Sequence, residues 1–326
     1  MTSNHRRMIA ALAAMCLIFG LAACGDDDTA DTGTAENAPA AGGKAIERDP
    51  ANANKGTITV GSKNFTEQYI LGEIYAQTLE AQGFKVRRRL NLGSEQVAYK
   101  ALRGGTIDMY PEYTGTALTS FFEVKTADVP KDADAAYEQA KEEYAKQNIT
   151  ALERTPFENT YVIASTKETA EKAGNPKTVS ELFAKNPNLS ISGFPECRQR
   201  QDCLLGLRSV YGFKGKFVSS EGKFSDLEGG QADLTLAFST DPQLALTDKY
   251  VAYEDDKNFF PPYNITLGVR DETVQKLGPK AIETLEAVQE GMTEEAMREL
   301  NRRVELDKQE PKRVAAAYLS EEGFVQ

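Results

Sequence analysis

The pattern Gly-Gly-x-x-Asp-apolar occurs twice in this 326-residue chain. It appears as Gly104-Gly105-Thr106-Ile107-Asp108-Met109 and again as Gly229-Gly230-Gln231-Ala232-Asp233-Leu234. A glycine pair closing a helical run can enter positive φ without a Cβ penalty, so each pair reads as a helix stop. A β-prone run follows, and then a tip rich in aromatic and hydroxyl side chains: Tyr113-Thr114-Gly115-Thr116 in one copy, Phe238-Ser239-Thr240-Asp241 in the other. In open α/β sheets, ligands bind beyond the carboxyl ends of the strands. Two such units predict two similar α/β lobes facing one cleft. Pro111, with no N–H to donate, is expected to end the inner ladder of its strand. The first tip lacks Lys and Arg, which points to a cation or a polar neutral ligand.

Around these copies, strands and helices alternate at the spacing of βαβ units, predicting a parallel sheet. Thr57 to Gly61 reads as a strand, and Ser62 to Gln68 opens a helix with Asn64 as N-cap and Glu67 as its capping-box partner. Ile70, Leu71, Ile74 and Leu79 form an apolar stripe, and Gly83 stops it. Phe84 to Leu90 returns as a strand whose Arg87-Arg88-Arg89 reads as a solvated face. Tyr161 to Ala164 starts the second series. Asn258 to Asn264 is a stiff aromatic segment, held extended by Pro261 and Pro262, that suits a crossover. Beyond the strand Ile265 to Val269 the chain reads as helices packing back on the first lobe.

Composition removes several function classes. The net charge is −11, with 49 acidic against 38 basic residues, which argues against a nucleic-acid partner. The one histidine is His5, in a leader, so the remaining chain has no His base, no Ser-His triad and no His metal ligand. No metal and no cofactor are expected. Trp is absent, so any aromatic cage must use Tyr and Phe. Residues 1–23 have the order of a secretory signal: charged, apolar, then small residues. Leu21-Ala22-Ala23-Cys24 looks like a bacterial lipobox, which implies cleavage before Cys24 and a lipid on its sulfur. Residues 24–55 have no aromatic and one branched aliphatic residue, Ile46, and read as a flexible tether. Cys197 and Cys203 remain as a pair in an exported protein, so a disulfide is expected.

Gly61-Ser62-Lys63-Asn64-Phe65-Thr66-Glu67-Gln68, Ile107 to Thr116, Phe238-Ser239-Thr240-Asp241 and Phe259-Phe260-Pro261-Pro262-Tyr263 closely resemble one family. It is the substrate-binding proteins of ABC importers for glycine betaine, choline and related osmoprotectants. The likeness runs over residues 56–326. It implies a two-lobed type II periplasmic-binding-protein fold with two interlobe crossovers. Lobe one would be residues 56–156 plus 265–326, and lobe two residues 157–264. It also implies a quaternary ammonium ligand in a box made by Tyr113, Tyr161, Tyr263 and Phe238, the last where the family commonly has Tyr. Arg200, ahead of Gln201-Asp202, matches an arginine that some relatives place on a carboxylate, with Arg198 as the alternative; Cys203 stands where they have glycine. Gln68 and Thr116 are candidate polar contacts.

The expected role is capture of glycine betaine, choline or a similar compound, with delivery to an ABC permease. The protein would be held on the extracytoplasmic face of the membrane by its lipid. Two other readings remain open at this point. One is a ligand-sensing or adhesive lipoprotein. The other is an enzyme on the same fold using Asp108/Glu112 and Asp233/Asp241 as acid and base, disfavoured by the absence of a His and of a phosphate loop.

Overall fold

Two five-stranded sheets carry the structure, a computed structural model that describes residues 45–325. The expected signal, Cys24 and residues 25–44 of the expected tether lie outside the described residues; residues 45–55 are not a tether, since Ile46 packs on the core and the buried Asn52 donates to the Gln82 carbonyl at 2.8 Å. The first sheet uses β1 (Thr57–Gly61), β2 (Lys85–Arg89), β3 (Met109–Tyr113), β4 (Ile149–Ala151) and β10 (Ile265–Arg270). The second uses β5 (Tyr161–Thr166), β6 (Ile191–Gly193), β7 (Phe217–Ser219), β8 (Leu234–Phe238) and β9 (Tyr250–Tyr253). Their orders are β2-β1-β3-β10-β4 and β7-β6-β8-β5-β9. Each begins with three parallel strands and then accepts two connected by antiparallel pairing, β10 on β3 and β5 on β8. The sheets are therefore mixed, because the strand entering each from the other lobe arrives reversed.

The sequence repeat is a structural repeat. Gly104 and Gly229 cap helices, and Gly105 and Gly230 follow at φ of 68° and 65°, where a side chain would be strained. Asp108 then accepts a hydrogen bond from the Thr59 amide at 2.6 Å, and Asp233 one from the Ser190 amide at 2.8 Å. Each carboxylate ties the start of its strand to the parallel neighbour.

Pro111 does not end β3. The strand continues to Tyr113 against β10, while pairing with β1 is confined to Val60 and Met109. Past that point the Gln68 side chain replaces β1, donating to the Pro111 carbonyl at 2.9 Å and accepting from the Lys63 amide at 3.0 Å.

Helix α1 (Thr66–Ala81) starts later than the capping reading requires. Phe65 is its N-cap and supplies no side-chain bond, so Asn64 does not cap it. The helix is buried nearly all round, because Pro279–Glu290, Glu294–Glu305 and Pro311–Glu321 pack on it. The Tyr75 hydroxyl, deep in that contact, donates to Gln289 at 2.7 Å. Arg88 is not simply solvated: it pairs with Glu73 and Glu80 of α1, leaving Arg87 and Arg89 exposed. No helix among the described residues is long and apolar enough to cross a membrane.

Two crossovers, between β4 and β5 and between β9 and β10, run antiparallel where Glu158 bridges Asn264. Beside them lies Glu67, freed from capping and buried. Its carboxylate accepts from Tyr113 Oη (2.8 Å), Asn159 Nδ2 (2.9 Å), Thr240 Oγ1 (2.6 Å) and Asn301 Nδ2 (3.1 Å). These donors come from β3, the first crossover, the tip after β8 and the C-terminal helical region. Burial pushes the Glu67 carboxyl above its ordinary value, and the hydrogen bonds recover only part.

The folded state thus holds the Glu67 proton more tightly than the unfolded chain. Its contribution to stability should fall as pH rises from about 4.5, the ordinary value, through the raised folded value. Subtracting a Glu67→Gln stability–pH curve from that of the wild type should isolate this downward slope; parallel curves would refute it. The Cys197–Cys203 disulfide, Cα atoms 5.2 Å apart, closes a short loop in lobe two. Its replacement by two serines should lower unfolding free energy by about 2 kcal/mol in denaturant titration. The native protein should show no free thiol from this pair; two titratable thiols in the folded state would refute the pairing.

Candidate functional site

A cavity of about 80 Å³ lies where the tips of β3 and β8 meet the second crossover. Tyr113, at the end of β3, enters from lobe one; Tyr161, at the start of β5, and Phe238, at the end of β8, enter from lobe two. These last two face each other because β5 and β8 pair in register, Tyr161 against Phe238. Tyr263 comes from the proline-stiffened crossover. Gly115 lets the chain approach that segment: a Cβ there would lie 2.7 Å from the Pro262 carbonyl and 2.9 Å from the Tyr263 ring.

All four rings anticipated from the sequence line this cavity. Phe65 and Phe194 complete the wall. Phe65 lies 6.1 Å from Tyr113 and 5.9 Å from Phe238, centroid to centroid. Tyr161 lies 5.5 Å from Phe238, 6.0 Å from Phe194 and 5.2 Å from Tyr263. Two of the tyrosine hydroxyls are held by fixed acceptors: Tyr113 donates to Glu67, and Tyr263 donates to Asp202 at 2.7 Å.

Three cations also line the cavity, and each has a carboxylate of its own. The Lys63 ammonium stands 4.4 Å from the Tyr113 ring and pairs with Glu112. Burial pushes this ammonium below its ordinary value, and Glu112 offsets only part of the loss. Arg200 donates to Asp202 through Nε at 2.9 Å and Nη2 at 2.6 Å. It also reaches lobe one, with Nη1 3.6 Å from Glu95 and Nη2 3.5 Å from Thr116 Oγ1. Burial pushes Asp202 up, but the Arg200 charge and the bonds from Arg200, Tyr263 and Thr119 outweigh it, leaving the carboxyl below the ordinary range. Lys223 stands 4.6 Å from the Phe238 ring and pairs with Asp241 at 2.6 Å.

Thr116 and Arg200 therefore belong to the cavity, as expected. Gln68 does not: it is fully buried and spends its amide on the backbone of Lys63 and Pro111. Lys63, Phe65, Glu67, Asn159, Phe194, Asp202 and Lys223 were missed as site residues. Lys63, Phe65 and Glu67 lay within the Gly61–Gln68 motif, read there as a helix start. Phe194 and Lys223 carry no local signal, since only the tertiary fold brings them to the cage.

The model of the substrate binding domain of ABC-type glycine betaine transport systems matches residues 56–321. The glycine-betaine-binding protein of Pseudomonas aeruginosa is 32% identical over 81% of this chain and 88% of its own length. A Helicobacter pylori ergothioneine transport permease/ergothioneine binding protein is 32% identical over 86% of this chain, which spans only 49% of that longer protein. A solved glycine betaine/carnitine/choline ABC transporter structure superposes with a TM-score of 0.66 at 25% identity, covering 81% of this chain and 97% of its own. The chain belongs to the family of substrate-binding domains of ABC-type glycine betaine transport systems.

Proposed function

We propose that this protein captures a trimethylammonium compound bearing a carboxylate, of the glycine betaine type, and presents it to the permease of an ABC importer. The observation that carries this reading is the convergence of Tyr113, Tyr161, Phe238 and Tyr263, with Phe65 and Phe194, on one cavity. A trimethylammonium group donates no hydrogen bond and is recognised by ring faces, each worth about 0.5–2 kcal/mol depending on desolvation. Four faces supply several kcal/mol, of the order that micromolar binding at about −8 kcal/mol requires.

The polar side of the cavity favours a zwitterion over a bare cation. Lys63, Thr116 and Arg200 line it together. Lys63 is the least compensated of the three, its ammonium desolvated beside a single carboxylate. An incoming carboxylate would meet a charge whose hydration is already lost. Because lobe-one and lobe-two residues both line the site, a bound ligand adds contacts only in the closed arrangement and shifts the hinge toward it. Ligand capture needs no catalytic step, and no acid–base role is assigned to the buried carboxylates. The lipid on Cys24 would hold the protein at the extracytoplasmic membrane surface beside its permease, with the residues between Cys24 and Ala45 as tether.

Calorimetric titration with glycine betaine, choline, carnitine and proline betaine tests the reading. Tyr113→Ala or Tyr263→Ala should each raise the dissociation constant about five- to thirtyfold, equivalent to roughly 1–2 kcal/mol. Phenylalanine at either place keeps the ring face and should cost less. Arg200→Ala should weaken glycine betaine more than choline, which has no carboxylate. Absence of binding to any of the four, by folded protein freed of co-purified ligand, would sink the reading. Cys24→Ala should release the protein from membranes or block signal removal; a processed mutant that still fractionates with membranes would refute the lipid anchor.

A further inference from the structure

Lys85-Val86-Arg87-Arg88-Arg89 puts four cations into five residues of a chain whose net charge is −11. The segment is strand β2, and its alternation sorts them. Arg88 turns toward α1 and is matched there by Glu73 and Glu80. Lys85, Arg87 and Arg89 stand on the opposite face, all exposed, with no ion pair among the described residues. Carboxylates on adjoining segments are engaged elsewhere: Asp49 accepts from the Ala51 amide, and Asp108 from the Thr59 amide. Lys55, whose ammonium lies 5.2 Å from the centre of the Phe84 ring just before β2, adds a further positive charge.

β2 is also the outer strand of its sheet, paired on one side only. Charge on such an edge deters pairing with another strand, but charge of either sign does that. Three uncompensated charges of one sign, in an otherwise acidic protein, complement a negative surface.

The place of this edge says which surface. The chain enters the domain beside it: the Asp49 amide and the Asn52 side chain both donate to the Gln82 carbonyl, at 3.0 and 2.8 Å, three residues before β2 begins. A Cβ on Gly83 would lie 2.5 Å from the Asp49 carbonyl, so glycine keeps the entering segment against the start of the strand. Residues 25–44 link this point to Cys24 and can span about 70 Å when fully extended. In the two sheet orders, β2 and β7 lie at the ends away from β4, β5, β9 and β10, the strands that the crossovers join. The basic edge therefore borders the side of the cleft opposite the hinge.

We propose that the exposed face of β2 is a docking surface for anionic phospholipid headgroups, and that it holds the open side of the cleft toward the membrane. This rests on the membrane-anchored reading above. A tether makes the second contact intramolecular, so weak headgroup contacts suffice to set the orientation. Each Lys or Arg close to an anionic bilayer strengthens partition about fivefold. The acidic remainder of the domain is repelled, which leaves one face able to settle.

Co-sedimentation with vesicles tests this, using the processed chain from residue 24 onward with Cys24→Ser, so that no lipid masks the contact. Vesicles of equal parts phosphatidylglycerol and phosphatidylcholine should retain it about fivefold better, or more, than phosphatidylcholine alone at low salt, and about 0.5 M salt should remove the difference. Lys85→Gln/Arg87→Gln/Arg89→Gln should lose the preference. Lys172→Gln/Lys177→Gln/Lys185→Gln, the same change of charge at exposed lysines of lobe two, should keep it. Thermal melts matching wild type confirm that both triple variants are folded. Equal retention of the wild-type sequence on both vesicle types overturns the proposal. Equal loss by both triple variants also overturns it, since that pattern marks net charge rather than the strand. The vesicle result does not depend on lipidation; a failed lipid anchor shows instead in the fractionation of Cys24→Ala described above.

Discussion

A single buried carboxylate, Glu67, ties together the parts that must meet for the cleft to exist. Taking a carboxylate out of water costs several kcal/mol unless its lone pairs are occupied. Here four donors occupy them, from β3, the first crossover, the tip after β8 and Asn301 near the C-terminal end of the chain. Asn301 also holds the Thr240 carbonyl at 3.1 Å, so the lobe-two tip is gripped twice. Opening the cleft would separate Thr240 from Glu67 and expose the carboxylate to water, which replaces the lost bond. Closure by this contact is therefore weakly favourable at best. That is the condition under which a ligand of modest affinity can decide the hinge position.

The same economy governs the cations around the cage. Lys63, Arg200 and Lys223 sit beside the aromatic rings of the cavity, where an unpaired cation would repel any further positive charge. Each is matched to a carboxylate outside the ring wall: Glu112, Asp202 and Asp241. The pairing leaves ring faces available and keeps donors near the cavity for a ligand's acceptors. Asp202 has a further part, since Tyr263 and Thr119 also donate to it. One carboxylate thus sets a cage ring, neutralises the arginine and reaches lobe one.

The fold was legible because it depends on local signals that recur. The Gly-Gly stops and the stiff Pro-Pro crossover act within a few residues of themselves, and an aspartate recurs at a fixed distance after each glycine pair. Their spacing announced two equivalent α/β halves; the four rings came from the family resemblance, and the fold brings them to one cavity. What was not legible depends on partners distant in sequence. Glu67 has the spacing of a capping-box residue, but tertiary donors claim it and the helix starts without a side-chain cap. Pro111 has the chemistry of a strand terminator, yet Gln68 takes over on the side where β1 has ended and β10 carries the strand on. Gln68 was a candidate polar contact, and only the packing shows that its amide is spent on the backbone of Lys63 and Pro111.

The two lobes repeat a framework, and their differences fall at the cavity between the strand tips. Both sheets present an aromatic after the Gly-Gly-x-x-Asp strand, Tyr113 on one side and Phe238 on the other. Phe238 cannot place a hydroxyl on a buried acceptor as Tyr113 does on Glu67. Its neighbourhood supplies a tethered ammonium from Lys223 instead. Lobe one adds Lys63 and Phe65 from the turn after β1, while lobe two adds Phe194 and Arg200 from the segment after β6, the equivalent strand. That second segment contains the Cys197–Cys203 bridge, which limits how far Arg200 and Asp202 can stray when the cleft opens. The constraint matters more in lobe two because the first turn is already anchored by Gln68 and Ser62, whose hydroxyl receives the Asn91 amide at 3.0 Å. A covalent staple in one lobe thus does the ordering that hydrogen bonds do in the other.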